Sequence, residues 1–283
     1  MFVSEKIVFL ELHKTGGSHI GHLLSSLLEG EQVGKHNTLK DLYRNRTILG
    51  SIRNPWDWYV SLWAFGCGGR GSVMRQSGRR FDLDYCYRQL PKEMGRNWLR
   101  PAHYYRLFTS ECTKNAEDWK WCYEDVQDPA RFRFWLELLL SGERALDIGE
   151  GYGFSPISDK FGLLTYRYFK LFTDSRDELY TNPALATMEG LELLQANKPL
   201  VDFVIKTERL EDDLIDALLK SGIDLSSDQR DKIFEGAKTK LNASQRSSSH
   251  FYYDEKTSAL VAKKEKFIIR QYGYPAQNAY REG

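Results

Sequence analysis

The chain lacks the Gly-Lys-Ser/Thr ending of a Walker A loop, and the glycine turn after its first apolar run carries no G-x-G-x-x-G fingerprint, which weighs against a nucleoside triphosphatase and a dinucleotide enzyme. No apolar run approaches about eighteen residues. The opening Met1-Phe2-Val3-Ser4-Glu5-Lys6 lacks a basic segment leading an apolar stretch with a small-residue cleavage site, so the expectation is a soluble, cytoplasmic chain with no membrane insertion. Charge of one sign is not in excess: 40 Lys plus Arg face 39 Asp plus Glu, leaving no global field to recruit nucleic acid or an anionic membrane. A local basic cleft remains compatible with that balance. Cysteine is scarce, and the gaps between Cys67, Cys86, Cys112 and Cys122 do not match paired zinc knuckles. A cytosolic setting favours free thiols there over two disulfides. Nothing marks an interdomain linker in the 283 residues, so one large domain over 1–283 is the default.

The most informative stretch is the first thirty residues. Ile7 to Leu12 is an almost continuous apolar run of strand length, as expected for a parallel strand covered on both faces. Gly16 and Gly17 then make a tight turn, and Ser18 is a plausible N-cap for a helix carrying Ile20, Leu23, Leu24, Leu27 and Leu28. The N–H groups and positive dipole end of that helix favour an anion, and Lys14 adds a full charge beside them. Such a unit is not specific alone, because any α/β domain needs these turns.

The segment Leu12-His13-Lys14-Thr15-Gly16-Gly17-Ser18 resembles the 5′-phosphosulfate loop of sulfotransferases that use 3′-phosphoadenosine-5′-phosphosulfate (PAPS), particularly the branch of the uronyl 2-O-sulfotransferases and their bacterial carbohydrate-modifying relatives. A second segment, Ile48-Leu-Gly-Ser-Ile-Arg53-Asn-Pro55-Trp-Asp-Trp-Tyr-Val-Ser61, is similar to the family's 3′-phosphate motif, a strand ending in Arg-x-Pro and a helix with serine eight positions after the arginine. The family often has another arginine three residues before that serine, where this chain has Trp58. Val201 to Ile205 reads as a third buried strand and Glu208 to Leu219 as the helix after it, a pair that also resembles the family. The resemblance implies a P-loop-like three-layer α/β sandwich with a central parallel sheet flanked by helices.

It also implies roles for particular residues. Lys14 would stabilise charge on the bridging oxygen as the bisphosphate product (PAP) leaves, and the N–H groups of Thr15, Gly16, Gly17, Ser18 and His19 would hold the 5′-phosphate and sulfate oxygens. Arg53 and Ser61 would bind the 3′-phosphate, with Arg246 and Ser247 as further candidates from a serine-rich loop. His36, in Gly34-Lys35-His36-Asn37-Thr38, would take the acceptor's proton. A lone loop histidine is more often solvated or capping, and it is the place of His36 between the two motifs that singles it out. No metal is required by this chemistry.

Between the motifs and the C-terminal part, residues 66–128 read as an insertion or acceptor-facing lid, with Arg70, Arg75, Arg79 and Arg80 followed by Trp98, Tyr104, Tyr105, Trp119, Trp121 and Tyr123. These aromatic and basic residues suit either sugar stacking or a small satellite core. Pro129 to Leu140 reads as an amphipathic helix, Leu163 to Phe172 as a strand or a short helix, and Leu185 to Gln195 as helical. A last helix is expected from Glu255 to Gln271, with Asp254 as N-cap and Gly273 ending it. The acceptor implied is a hydroxyl on a carbohydrate or a small molecule. Two other classes stay open: a P-loop-type small-molecule kinase, for which Asp202 sits at the wrong end of its strand to hold Mg²⁺, and a catalytically inactive binding or scaffold protein.

Overall fold

The computed structural model describes residues 1–80, 101–175, 178–238 and 246–275. Its strands are β1 (Phe2–Ser4), β2 (Ile7–Leu10), β3 (Gly30–Gln32), β4 (Thr47–Ile52) and β5 (Phe203–Lys206). The main helices are α1 (Gly17–Leu27), α2 (Pro55–Cys67), α3 (Ser72–Ser77), α4 (Pro101–Thr113), α5 (Ala116–Cys122), α6 (Pro129–Leu140), α7 (Leu163–Phe172), α8 (Met188–Asn197), α9 (Leu210–Lys220), α10 (Ser227–Lys238), α11 (Glu255–Lys264) and α12 (Lys266–Tyr272). The chain forms two compact units. The first comprises Met1–Asn54, Arg167–Ser175 and Leu194–Ala243; the second comprises Pro55–Tyr166, Arg176–Leu193 and Ser244–Gly283.

The first unit is an α/β sheet in the order β3-β1-β2-β4-β5. Its centre is parallel, with Leu10 opposite Gly50 and Ile52 opposite Lys206, whereas β1 runs antiparallel to both β2 and β3. On one face Phe2, Ile7, Phe9 and Leu49 pack with Ile20, Leu23 and Leu24 of α1, Leu214 and Leu218 of α9, and Ile233 of α10. Gly50 points to the other face. A Cβ there would come within 2.6 Å of the Phe172 ring, so only glycine lets the end of α7 lie this close to the sheet.

Three sequence expectations change in this unit. β2 ends at Leu10 rather than Leu12, because the chain leaves the ladder to enter the turn. Glu31 and its neighbours, read as a polar link, form the exposed edge strand β3; a short charged edge carries no apolar alternation by which to find it. The third strand runs Phe203–Lys206 rather than Val201–Ile205 and is only partly buried. Asp202 lies outside it, where its Oδ2 accepts the Ile48 N–H at 2.7 Å and closes the N-terminal end of β4.

The second unit is built on aromatic rings. Trp63 of α2 sits edge-on to Phe132 and Tyr252 with centroids 5.4 Å away, and Phe132 meets Tyr253 at 5.0 Å. The stripe expected on α2 is a nearly all-round burial, which includes Trp58, Val60, Ser61 and Ala64 as well as Tyr59, Leu62 and Trp63. From the expected insertion, Trp119 and Tyr123 belong to this core: Trp119 Nε1 donates to Asp147 Oδ2 at 3.0 Å and Trp135 Nε1 donates to the Tyr123 hydroxyl at 2.6 Å. Tyr105 and Trp121 stay exposed, and Trp98 lies outside the described residues. Cys67, Cys112 and Cys122 are unpaired thiols, with those of Cys67 and Cys122 pushed up to about 12 by burial; Cys86 lies outside the described residues.

Leu163–Phe172 is a helix, and its first turn explains why the C-terminal helix is broken in two. Glu265, fully buried between α11 and α12, accepts the Leu164 N–H at 3.1 Å, the Thr165 N–H at 3.0 Å, the Thr165 hydroxyl at 2.6 Å and the Tyr59 hydroxyl. Asp254 caps α11 through a capping box with Thr257, as expected. Burial raises the Glu265 carboxyl from 4.5 to about 7, against its hydrogen bonds. The folded chain therefore binds this proton more tightly than the unfolded one. Its contribution is fully present below pH 4.5 and is lost as the pH rises through about 7. That shift corresponds to about 3 kcal/mol. Chemical denaturation at pH 4.5 and pH 8 should show wild type losing about 3 kcal/mol more over this interval than Glu265→Gln, which has no carboxyl to ionise. An equal loss in both proteins would exclude Glu265 as the source.

Candidate active site

The C-terminal ends of the parallel strands of the first unit bring three chain segments together, the usual ligand-binding edge of an open α/β sheet. After β2, the chain turns through Glu11–Gly16 into α1. After β4 come Arg53 and Asn54, and after β5 come Thr207 and Glu208. The Thr207 hydroxyl donates to Ile52 O at 2.8 Å, the Asn54 N–H donates to Glu208 Oε1 at 2.6 Å, and Arg53 Nη1 reaches Lys14 O at 3.4 Å.

The turn itself is shaped by backbone conformation. Lys14 and Gly16 both lie in the left-handed region, at φ 63° and 77°. For glycine this costs little, whereas for lysine it costs about 1–2 kcal/mol, a strain characteristic of functional loops. Gly16, not Ser18, is the residue before the helix; its left-handed geometry admits the chain into α1 two residues early, with no side-chain cap. Ser18 is exposed in the first turn, where its Oγ receives Lys35 Nζ at 3.2 Å. Thr15 is fully buried, its hydroxyl bonded to Leu12 O at 2.9 Å and to Ser51 Oγ at 2.7 Å, so its side chain braces the turn against β4. The His19 N–H donates to Gly16 O at 2.9 Å, which removes it from the expected anion donors. Gly17 and Ser18 head the helix, where N–H groups have no intrahelical acceptor. The His19 imidazole is lowered below 6.5 by burial, which outweighs the opposing charge of Glu211, and among the described residues its Nδ1 has no hydrogen-bond partner.

His36 comes to the same turn. Its Nδ1 is 2.9 Å from the carbonyl oxygen of Glu11. A carbonyl only accepts, so Nδ1 carries the proton and, in the neutral ring, Nε2 keeps a lone pair. The backbone at His36 is also left-handed, at φ 55°. The imidazole lies flat on that of His13, with centroids 3.5 Å apart and planes 13° from parallel. His13 carries no sequence expectation of a role at the site. Nothing local signals it, because 23 positions separate it from its partner and only the turn makes them neighbours.

No family model, curated protein or solved structure matches this chain.

The other expected nucleotide-binding residues belong to the second unit. Ser61 is buried on α2, one turn beyond Asp57 and on the same helix face. Asp57 Oδ1 accepts from Arg246 Nη2 at 2.6 Å and from the Ser249 hydroxyl. Arg246 is thus brought to the α2 face that carries Ser61, and its charge is matched by a carboxylate. The Ser247 hydroxyl donates to Gln127 Oε1 and its N–H donates to the Tyr252 hydroxyl, both at 3.0 Å. Trp58, standing where the resembled family has arginine, is fully buried and edge-on to Tyr59 at 4.9 Å, so it serves the core of this unit.

Proposed function

We propose that this chain is a PAPS-dependent sulfotransferase of P-loop-like fold, transferring a sulfuryl group to an acceptor hydroxyl on a carbohydrate or another small molecule. The observation that carries the reading is the meeting of His36 with the Lys14 turn: a base with its Nδ1–H held by Glu11 O and its ring on His13 reaches the turn that carries Lys14 and leads into α1. Proton removal and charge stabilisation are what sulfuryl transfer asks of a protein, as its phosphoryl analogue does.

In this reading the N–H groups of Gly17 and Ser18 and the Lys14 ammonium hold the anionic end of the donor. His36 Nε2 takes the acceptor proton as the new S–O bond forms, and Lys14 stabilises the negative charge left on the bridging oxygen as the old S–O bond breaks. Arg53 binds the 3′-phosphate by a charge-assisted contact. For Ser61, Arg246 and Ser247 the assignment rests on the resemblance alone. Asp202 is engaged at the N-terminal end of β4, away from the strand ends at which a kinase would hold Mg²⁺.

Calorimetry of PAP and 5′-AMP against wild type and Arg53→Ala tests the donor. The expected result is binding of PAP at least about 100-fold tighter than of AMP, which is about 2.7 kcal/mol, with that preference lost in the variant. Equal or absent binding of both nucleotides by wild type would sink the reading. Radiolabelled sulfate transfer, screened over sugars and simple hydroxyl compounds with and without Mg²⁺, then separates a sulfotransferase from a kinase or a binding protein.

A further inference from the structure

The His13–His36 stack goes beyond the roles assigned above. His36 is exposed and sits on a loop segment of residues 33–38 that carries no regular structure. The loop backbone is tied down by Asn37 Nδ2 on Val33 O at 2.8 Å and by Gln32 Nε2 on Gly34 O at 3.1 Å. The Nδ1–H bond to Glu11 O, at 2.9 Å, holds one edge of the imidazole, and the ring of His13 meets its face. A base that must present Nε2 to an acceptor hydroxyl needs its plane fixed as well.

His13 provides that plane. It lies in a turn braced by the Thr15 hydroxyl on Leu12 O and Ser51, so its own position is set by the end of β2 and by β4. Its ring, 3.5 Å from that of His36 and within 13° of parallel, covers one face of the imidazole and opposes rotation out of the Nδ1–H···O=C alignment. We propose that His13 is a positioning residue for His36, a flat platform that holds the base as its Nδ1–H tautomer with Nε2 directed to the acceptor. The catalytic part of this proposal rests on the sulfotransferase reading, in which His36 is the base. The positional part does not.

The test uses the full chain with ¹⁵N-labelled histidine and reads the His36 ring nitrogens by NMR, beside PAP affinity and single-turnover sulfate transfer. His13→Ala removes the platform, His13→Leu keeps bulk without a plane, and His13→Phe keeps a plane without ring nitrogens. In wild type and His13→Phe, His36 is expected as a single Nδ1–H tautomer. His13→Ala and His13→Leu should show a mixture, with kcat reduced about 10–100-fold, as expected for a misplaced reacting group. PAP affinity should stay within about twofold, because the donor contacts are untouched. A single Nδ1–H tautomer persisting in His13→Ala or His13→Leu overturns the proposal, as does failure of His13→Phe to restore it. If His13→Ala does not fold, His13→Leu decides. Failure of wild type to bind PAP would sink the sulfotransferase reading separately, while the tautomer result still decides whether His13 positions His36.

Discussion

His36→Asn should lower single-turnover sulfate transfer by about 10²–10⁴-fold while leaving PAP affinity within about twofold of wild type. Asparagine is chosen for two physical reasons. It tolerates the left-handed backbone that His36 adopts at φ 55°, so the variant adds no strain to the loop. Its side-chain amide can also donate to Glu11 O where Nδ1–H does now, at 2.9 Å. What disappears is the basic Nε2, together with the ring face stacked on His13. A loss confined to the chemical step, with donor binding intact, is the signature of a missing base. A variant with transfer within threefold of wild type would remove His36 from the reaction and leave the turn as a nucleotide site without its proton acceptor.

Lys14→Asn should act on both steps. In the proposed reaction the Lys14 charge would attract the donor in the ground state and stabilise the leaving oxygen in the transition state. PAP binding should therefore weaken by about tenfold, and transfer should fall by a further 10²–10³-fold or so. Stability should not suffer, because Lys14 at φ 63° occupies a region that asparagine enters more readily than lysine. Lys14 O still accepts from Arg53, since that contact is to the backbone. Calorimetry and thermal unfolding, measured beside transfer, separate these effects. Wild-type transfer in a stably folded Lys14→Asn would exclude the lysine from leaving-group stabilisation. The contrast with His36→Asn is the sharper result: one variant loses chemistry only, the other loses affinity and chemistry together.

Much of the frame was legible residue by residue. Strand β4 runs Thr47–Ile52 as expected, because a buried parallel strand ended by Asn54-Pro55 leaves a clear apolar run and a clear stop. α6 runs Pro129–Leu140, with Asp128 accepting the Ala130 N–H, since helical periodicity and a capping residue coincide there. Asp254 and Gly273 bound the C-terminal helices for the same reason. Each of these features depends on groups a few residues apart.

What escaped the sequence depends on distant groups. β1 and β3 are three-residue strands whose partners, not their composition, make them strands. The break at Glu265 exists because Leu164 and Thr165, about a hundred positions earlier, donate to its carboxylate. The all-round burial of α2 comes from aromatic side chains of α6 and of Tyr252, which no period along α2 announces. The candidate site divides along the same line. By itself the sequence determined which chemical groups stand around the turn after β2: Lys14, the glycines, Arg53 at a strand end, and His36 as the histidine between the motifs. Only the tertiary structure decided that Gly16 heads the helix, that Thr15 braces the turn rather than facing a ligand, and that His36 rests on His13 with its Nδ1–H on Glu11 O. The physical reason is that residue type and short-range spacing set local conformation and chemical capacity, whereas a ring stack or a carbonyl contact requires the sheet to bring separate turns to one edge.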